Sequence, residues 1–304
     1  MKLLRIIGWA ISILSIIYVF DKIVHTEINF TSLFDLSSIA FLVLVLAFHI
    51  FSLFILARSY HIILKLGTDT VGTKIDYINF YAKTNLAKYL PGNVMHLVDR
   101  NVSASTVGAS QGSILMGTIF EITFVLTATT LLIFFIKPEQ ATILTPWVSP
   151  LTITIVVSLF LGAILFIGFQ IKRRQIQIKF SVNLFFKILS LIILYMLVMI
   201  FQALVPVVIA LFILKMPMQA SVSKEIFNGF LISWTAGFLT LGAPGGIGVR
   251  EAVFCSLIQD MPQASLLFIG IVQRFVNVLG DVVFFLILFI MANTRSIPNN
   301  FSGR

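Results

Sequence analysis

Residues 243 to 252 read APGGIGVREA: a proline, three glycines, then Arg250 beside Glu251, between strongly apolar stretches. In hydrocarbon every backbone N–H and C=O must find an internal partner, so a broken segment at membrane depth is either buried in protein or lines a cavity. The rest of the chain puts it at that depth. Of 304 residues, 59% are hydrophobic, only 11% are charged and 30 are phenylalanine. This excludes a water-soluble domain and predicts an all-α, polytopic transmembrane helix bundle.

A membrane span needs about 20 apolar residues. Apolar runs at 6–20, 39–57, 112–136, 150–171, 184–214, 226–243 and 266–292 predict about six to eight spans in one integral membrane domain, 1–304. The first run follows Lys2 and Arg5 as a signal peptide would, but Tyr18, Val19 and Phe20 offer no small-residue cleavage site, so it reads as a retained span. The run 184–214 would measure about 46 Å as a straight helix at roughly 1.5 Å per residue. It must tilt, protrude or bend, and Pro206 is the expected bend point.

The net charge of +9 comes from 21 basic against 12 acidic residues. On a soluble domain that excess would speak for nucleic acid. Here the basic residues gather in linkers, where they orient the chain and attract anionic lipid, so no nucleic-acid partner is expected. Arg58, Lys65, Lys74, Lys83, Lys88 and Arg100 fall in 58–100, and Lys172, Arg173, Arg174, Lys179 and Lys187 in 172–187. The linkers 21–38 and 137–149 carry one lysine each beside Asp21, Glu27, Asp35 and Glu139. The positive-inside rule therefore predicts a multi-pass protein of the cell (inner) membrane with a cytoplasmic N-terminus. The C-terminal third has two readings. A full crossing by 226–243 leaves Arg295 and Arg304 outside, whereas a re-entrant hairpin across 226–262 keeps them inside, as the charge rule favours.

A second interruption, YLPGNVMHLVDR at 89–100, places Pro91 and Gly92 ahead of Arg100 as Pro244 and Gly245 precede Arg250. The two Pro-Gly pairs lie about half a chain apart, dividing it into candidate repeat halves 1–150 and 151–304. Interrupted segments in corresponding positions of two halves point to a transporter's binding site; the same dipeptide is also an ordinary turn signal. The stretch 75–90, with Ile75, Ile78, Tyr81, Leu86 and Leu90 among Lys74, Lys83 and Lys88, is too polar to span. It reads as an interfacial or partly dipping helix, or as a simple amphipathic connector.

Ionisable side chains within spans cost about 2.5 to 3.5 kcal/mol each on insertion scales, so they normally face a polar interior. Glu121, Arg250, Glu251, Arg274 and Asp281 are such groups. Arg274 and Asp281 stand two turns apart on one helix face, so each is expected to meet a different helix. Guanidinium binds phosphate bidentately, which makes a lipid phosphate a natural partner. The plainer reading is that these charges neutralise one another and lock the bundle. In the same vein, Glu251 would cap a helix starting near Val249. Gly245, Gly246 and Gly248 either permit close helix packing or lead into a helix N-terminus that offers N–H groups to an anion.

Catalytic signals are weak. Cys255 is the only cysteine, and His25, His49, His61 and His96 show no metal-ligand spacing. With no P-loop, HExxH run or nucleophile elbow, neither metal, cofactor nor ATP hydrolysis is expected, and the chain reads as a non-enzyme.

The PGGIGVREA run, with the earlier YLPGNV and Arg100, resembles the membrane domain of the lysylphosphatidylglycerol synthase/flippase family and its stand-alone flippase-like relatives. The likeness spans nearly the whole chain. It implies translocation of an anionic or aminoacylated phospholipid, or of a lipid-linked sugar, between leaflets. It also implies that Pro91, Gly92, Arg100, Pro244, Gly245, Gly246, Gly248, Arg250 and Glu251 lie near the substrate path. In the bifunctional relatives a soluble aminoacyl transferase domain follows; this chain stops at Arg304, so it is expected not to make lysyl-lipid itself.

The leading expectation is a lipid translocase in which Arg250, Arg274 and Arg100 receive a lipid phosphate while Glu121, Glu251 and Asp281 balance charge or meet a cationic head group. Two alternatives are a membrane-embedded transferase with Asp99 or Glu251 as base, and a scaffold for a glycosyltransferase. The expected partners are membrane lipids, a glycosyltransferase or lipid-modifying enzyme, and a second copy of the chain.

Overall fold

The computed structural model describes residues 31–67, 74–89, 99–100, 102–136, 182–216, 220–240, 246, 248–258 and 261–295. Among them every regular element is helical, and four helices are long and apolar enough to cross a membrane. A short turn at Thr31–Phe34 leads into α1 (Leu36–Gly67). Then come α2 (Lys74–Asn85) with a 3₁₀ turn at Leu86–Tyr89, a further turn at Ser103–Val107, and α3 (Gln111–Phe135). The second half contributes α4 (Val182–Val208), α5 (Ala220–Leu239), α6 (Val249–Leu257) and α7 (Gln263–Arg295). The spanning lengths are Leu36–Lys65, Gln111–Phe135, Val182–Ile213 and Gln263–Met291. The expected spans at 6–20 and 150–171 lie outside the described residues. Helix α5 takes up 226–239 of the 226–243 run and is not among those four.

Local chemistry sets the helix limits. Ser110 opens α3, its hydroxyl accepting from the Ser113 backbone N–H at 3.2 Å and so meeting one of the orphan donors of the first turn. Some hydroxyls inside the spans are satisfied on their own helix: Ser52 donates to the Phe48 carbonyl at 2.9 Å and Thr129 to that of Val125 at 2.7 Å. Helix α4 runs through Pro206 and continues as a π-turn, Ile209–Ile213, with Leu214 N–H donating to the Ile209 carbonyl at 3.0 Å. Proline has no N–H for the carbonyl four residues back, that of Gln202. The vacancy is filled from α7, where the Gln273 side chain donates to the Gln202 carbonyl at 3.2 Å. The long apolar run is thus accommodated by a wound-out turn after Pro206.

The main core lies among α3, α4, α5 and α7, around Leu126, Leu191, Ala203, Ile226 and Leu266. A second cluster joins α1 to α2 through Tyr60, Tyr77 and Phe80, with Phe284 of α7. Helix α2 is therefore no loose connector: Tyr77 is fully buried, its hydroxyl donating to the Val107 carbonyl at 3.1 Å. The outward faces carry large exposed apolar side chains, among them Phe51, Phe185 and Ile290, as an acyl-chain environment requires.

Candidate functional site

Among the described residues three clusters of charged side chains stand out, and α7 holds two of them. The first is a cleft between α5, α6 and α7. Gly246 and Gly248 adopt φ of +71° and +81°, a region open to glycine at little cost, and they turn the chain into α6 at Val249. A Cβ on Gly246 would stand 2.9 Å from the Gly237 Cα, so the incoming loop rests directly on the backbone of α5. Glu251 reaches back to the helix start: one carboxylate oxygen accepts from the Gly248 N–H at 2.8 Å, and the other faces Arg274 Nε of α7 at 3.0 Å. Arg250 lies against Gly237 and Gly246, its guanidinium 5.6 Å from the Trp234 ring centre. The cleft encloses about 400 Å³ of empty space, part of it open to the outside. Phe230 and Phe254 supply apolar wall, and Ser233, Arg250, Glu251, Gln273, Arg274 and Asn277 supply the polar lining.

Two turns further along α7, Asp281 is sealed from solvent. Lys88, from the turn after α2, places its ammonium 2.6 Å from one carboxylate oxygen; the other accepts from the Asn85 amide at 3.1 Å. His49 of α1 brings Nε2 to 3.4 Å from that second oxygen, an electrostatic contact too poorly aligned for a hydrogen bond. The ring's Nδ1 meets the Gln202 amide nitrogen of α4 at 2.7 Å. Gly280 makes the approach possible, since a Cβ there would run into the His49 ring.

The third cluster fixes α2 to α3. Arg100 is 1% exposed, its guanidinium paired with Glu121 and donating to the Thr84 hydroxyl at 3.3 Å. The Tyr60 and Tyr81 rings flank it, with centres at 4.8 and 4.3 Å. Tyr81 donates to the second Glu121 oxygen at 2.7 Å. Burial works against the Arg100 charge, but Glu121 and the tyrosines outweigh it, so the guanidinium is held more firmly protonated than usual.

The structure brings Arg250, Glu251 and Arg274 together and keeps Arg100, Glu121 and Asp281 away from that cleft. Arg274 and Asp281 do face different helices. Gly246 and Gly248 turn the chain into α6 through their positive φ but are not among the residues lining the cleft. Pro91, Gly92, Pro244, Gly245 and His96 lie outside the described residues, as does the comparison of the two Pro-Gly turns. Where the halves can be compared, their arginines sit in unlike surroundings: Arg100 is enclosed by its partners, and Arg250 lines an open cleft. Asp99 is partly exposed. Among the described residues no group of three His, Cys, Asp or Glu is placed to hold a metal ion.

Sequence reasoning passed over Lys88, Asn85, His49, Gln202 and Gln273. For His49, Gln202 and Gln273 the signal was present: each is a polar side chain in the midst of an apolar helix, where hydrogen-bonding capacity must be met by another helix. In comparisons with known proteins, neither a family model nor a curated sequence matches this chain.

Proposed function

We propose that the chain is a lipid translocase that moves an anionic or aminoacylated phospholipid, or a lipid-linked sugar, between membrane leaflets, with the α5–α6–α7 cleft receiving the lipid phosphate. One observation carries the reading: within an apolar bundle, two guanidinium groups, Arg250 and Arg274, line an open cleft beside a single carboxylate, Glu251. In a low-dielectric setting such groups attract a phosphate strongly, and guanidinium matches its oxygens two at a time. Gln273 and Asn277 add neutral donors and acceptors, while Phe230 and Phe254 suit the glycerol and acyl portion. The likeness of PGGIGVREA to the lysylphosphatidylglycerol synthase/flippase membrane domain supports the same role. Arg100 and Glu121 serve as a lock between α2 and α3.

The transferase alternative draws less support, because Glu251 is tied to the Gly248 N–H and to Arg274, and Asp99, its other candidate base, does not line the cleft. Reconstitution into vesicles tests the proposal. With fluorescent phosphatidylglycerol and an impermeant quencher, the unmodified protein exposes inner-leaflet lipid to quenching. Arg250→Ala, which removes a charge-assisted phosphate contact of about 1.5 to 3 kcal/mol, slows that exposure at least about tenfold. Equal rates would remove the cleft from the mechanism.

A further inference from the structure

We propose that His49 and Asp281 form a proton-binding centre, wired through Gln202 and Gln273 to the Arg250/Arg274 cleft, so that proton uptake and anionic-lipid binding favour each other. The lipid side of this linkage rests on the translocase reading above.

Lys88 stands 2.6 Å from the Asp281 carboxylate and balances its charge, so His49 is not required there as a counter-ion. It is nevertheless a titratable ring, 5% exposed, at the centre of a spanning helix, where ionisable groups are costly. Histidine is the side chain whose charge changes between about pH 5 and 8. Its contacts define the neutral form. The Gln202 amide donates to Nδ1, so the ring hydrogen sits on Nε2, toward Asp281. A second proton arriving from water adds to Nδ1, which becomes a donor. Gln202 must then turn its amide to present oxygen, and the centre gains one positive charge opposite the carboxylate.

Gln202 is the residue whose main-chain carbonyl Pro206 leaves without a helical partner and Gln273 takes up at 3.2 Å. Gln273 in turn lines the cleft with Arg250 and Arg274. The path from ring to cleft is therefore continuous and crosses α4 where its hydrogen-bond ladder is already interrupted, just before the π-turn. The charged groups facing the centre are Lys88 from the turn after α2, Asp281 itself on α7, and, one step along α2 through Thr84, Arg100 with Glu121 of α3. Asn85 and Gln202 contribute neutral contacts. An anion in the cleft adds negative potential, which favours the protonated ring.

Two measurements test this. In the first, phosphatidylglycerol is added to purified protein in weakly buffered detergent at about pH 6, and a pH-sensitive dye reports proton uptake approaching one per chain. Phosphatidylcholine gives none. His49→Gln and Asp281→Asn, checked for a monodisperse folded fraction, lower the uptake at least fivefold, whereas Lys215→Gln, on an exposed ion pair with Asp35, leaves it unchanged. No uptake by the unmodified protein, or full uptake by His49→Gln, overturns the proposal. In the second, vesicles carry a two-unit pH gradient, for which one proton per lipid shifts the leaflet ratio by up to about 100-fold. Lipid that moves but equilibrates to an even distribution regardless of the gradient overturns proton coupling and leaves the translocase reading standing. If no lipid moves at all, the translocase reading fails, and the dye measurement alone decides the centre.

Discussion

The contact between Gln273 and the main chain of α4 can be tested by a double substitution. Pro206 cannot donate to the Gln202 carbonyl, and Gln273 Nε2 supplies the missing donor at 3.2 Å. Gln273→Met keeps the length of the side chain and removes that donor, leaving a buried carbonyl unmet. An orphaned buried polar group costs about 1 to 3 kcal/mol in soluble proteins. Hydrogen bonds between helices in bilayers average about 0.6 kcal/mol and reach roughly 1.7 kcal/mol, because the membrane-unfolded state finds partners too. An expected loss of about 1 kcal/mol reconciles the two scales. Pro206→Ala restores an N–H four residues beyond Gln202, and in that background Gln273→Met costs only its packing, so its penalty is smaller than with Pro206 in place. Reversible unfolding in mixed micelles of increasing sodium dodecyl sulfate measures all four proteins, and changes common to both backgrounds cancel in the cycle. A Gln273→Met penalty that is the same with Pro206 in place and in the Pro206→Ala background would refute the claim that the amide stands in for the proline's missing donor.

Removing one member of the Arg100–Glu121 pair by Glu121→Gln leaves a guanidinium that is 1% exposed without its carboxylate; the expected loss is about 3 to 5 kcal/mol by the same unfolding assay. Replacing both by methionine recovers most of that loss, and a double variant as unstable as the single one would contradict the lock. Gly246→Ala, at φ +71° and against the Gly237 backbone, costs at least about 1 to 2 kcal/mol of stability. Gly237→Ala drives a Cβ into Arg250 Cγ, near the root of that side chain, so Arg250 must leave its place and phosphatidylglycerol binding weakens about tenfold; a titration of lipid into the detergent-solubilised folded fraction reads the difference.

The long apolar elements were legible because length and hydropathy alone define them: the runs at 39–57, 112–136, 184–214 and 266–292 coincide, to within one residue where they overrun, with α1, α3, α4 with its π-turn, and α7. The start of α6 was legible too, since a glycine run followed by Val-Arg-Glu carries the signature of a helix whose third residue caps its own N-terminus. Pairing was not legible. Arg100 was grouped with Arg250 because each follows a Pro-Gly pair, yet which carboxylate a guanidinium meets depends on how helices pack, and Glu121 lies on a span that carries no local mark of its partner. The burial of helix α2 is hidden in the sequence for a related reason. Its polar composition fits an interfacial helix, but Tyr81, Thr84, Asn85 and the following Lys88 direct their polar atoms at Glu121, Arg100 and Asp281 within the protein.

Helix α7 gives these clusters a common frame. Arg274 holds the segment that follows the second interruption, through Glu251. Asp281, two turns or about 11 Å along the same helix, holds the segment that precedes the first, through Asn85 and Lys88. Each link exchanges a costly buried charge for an oppositely charged partner. Neither segment can leave α7 without exposing an uncompensated charge to hydrocarbon, a penalty of several kcal/mol. Under the translocase proposal, a lipid phosphate at Arg274 or a proton at His49 would supply compensation from outside the chain, at the two links that tie these segments to α7. On that proposal the electrostatics that hold the bundle together also define what would release it: an anion at Arg274 and a proton beside Asp281, two turns apart in the middle of α7.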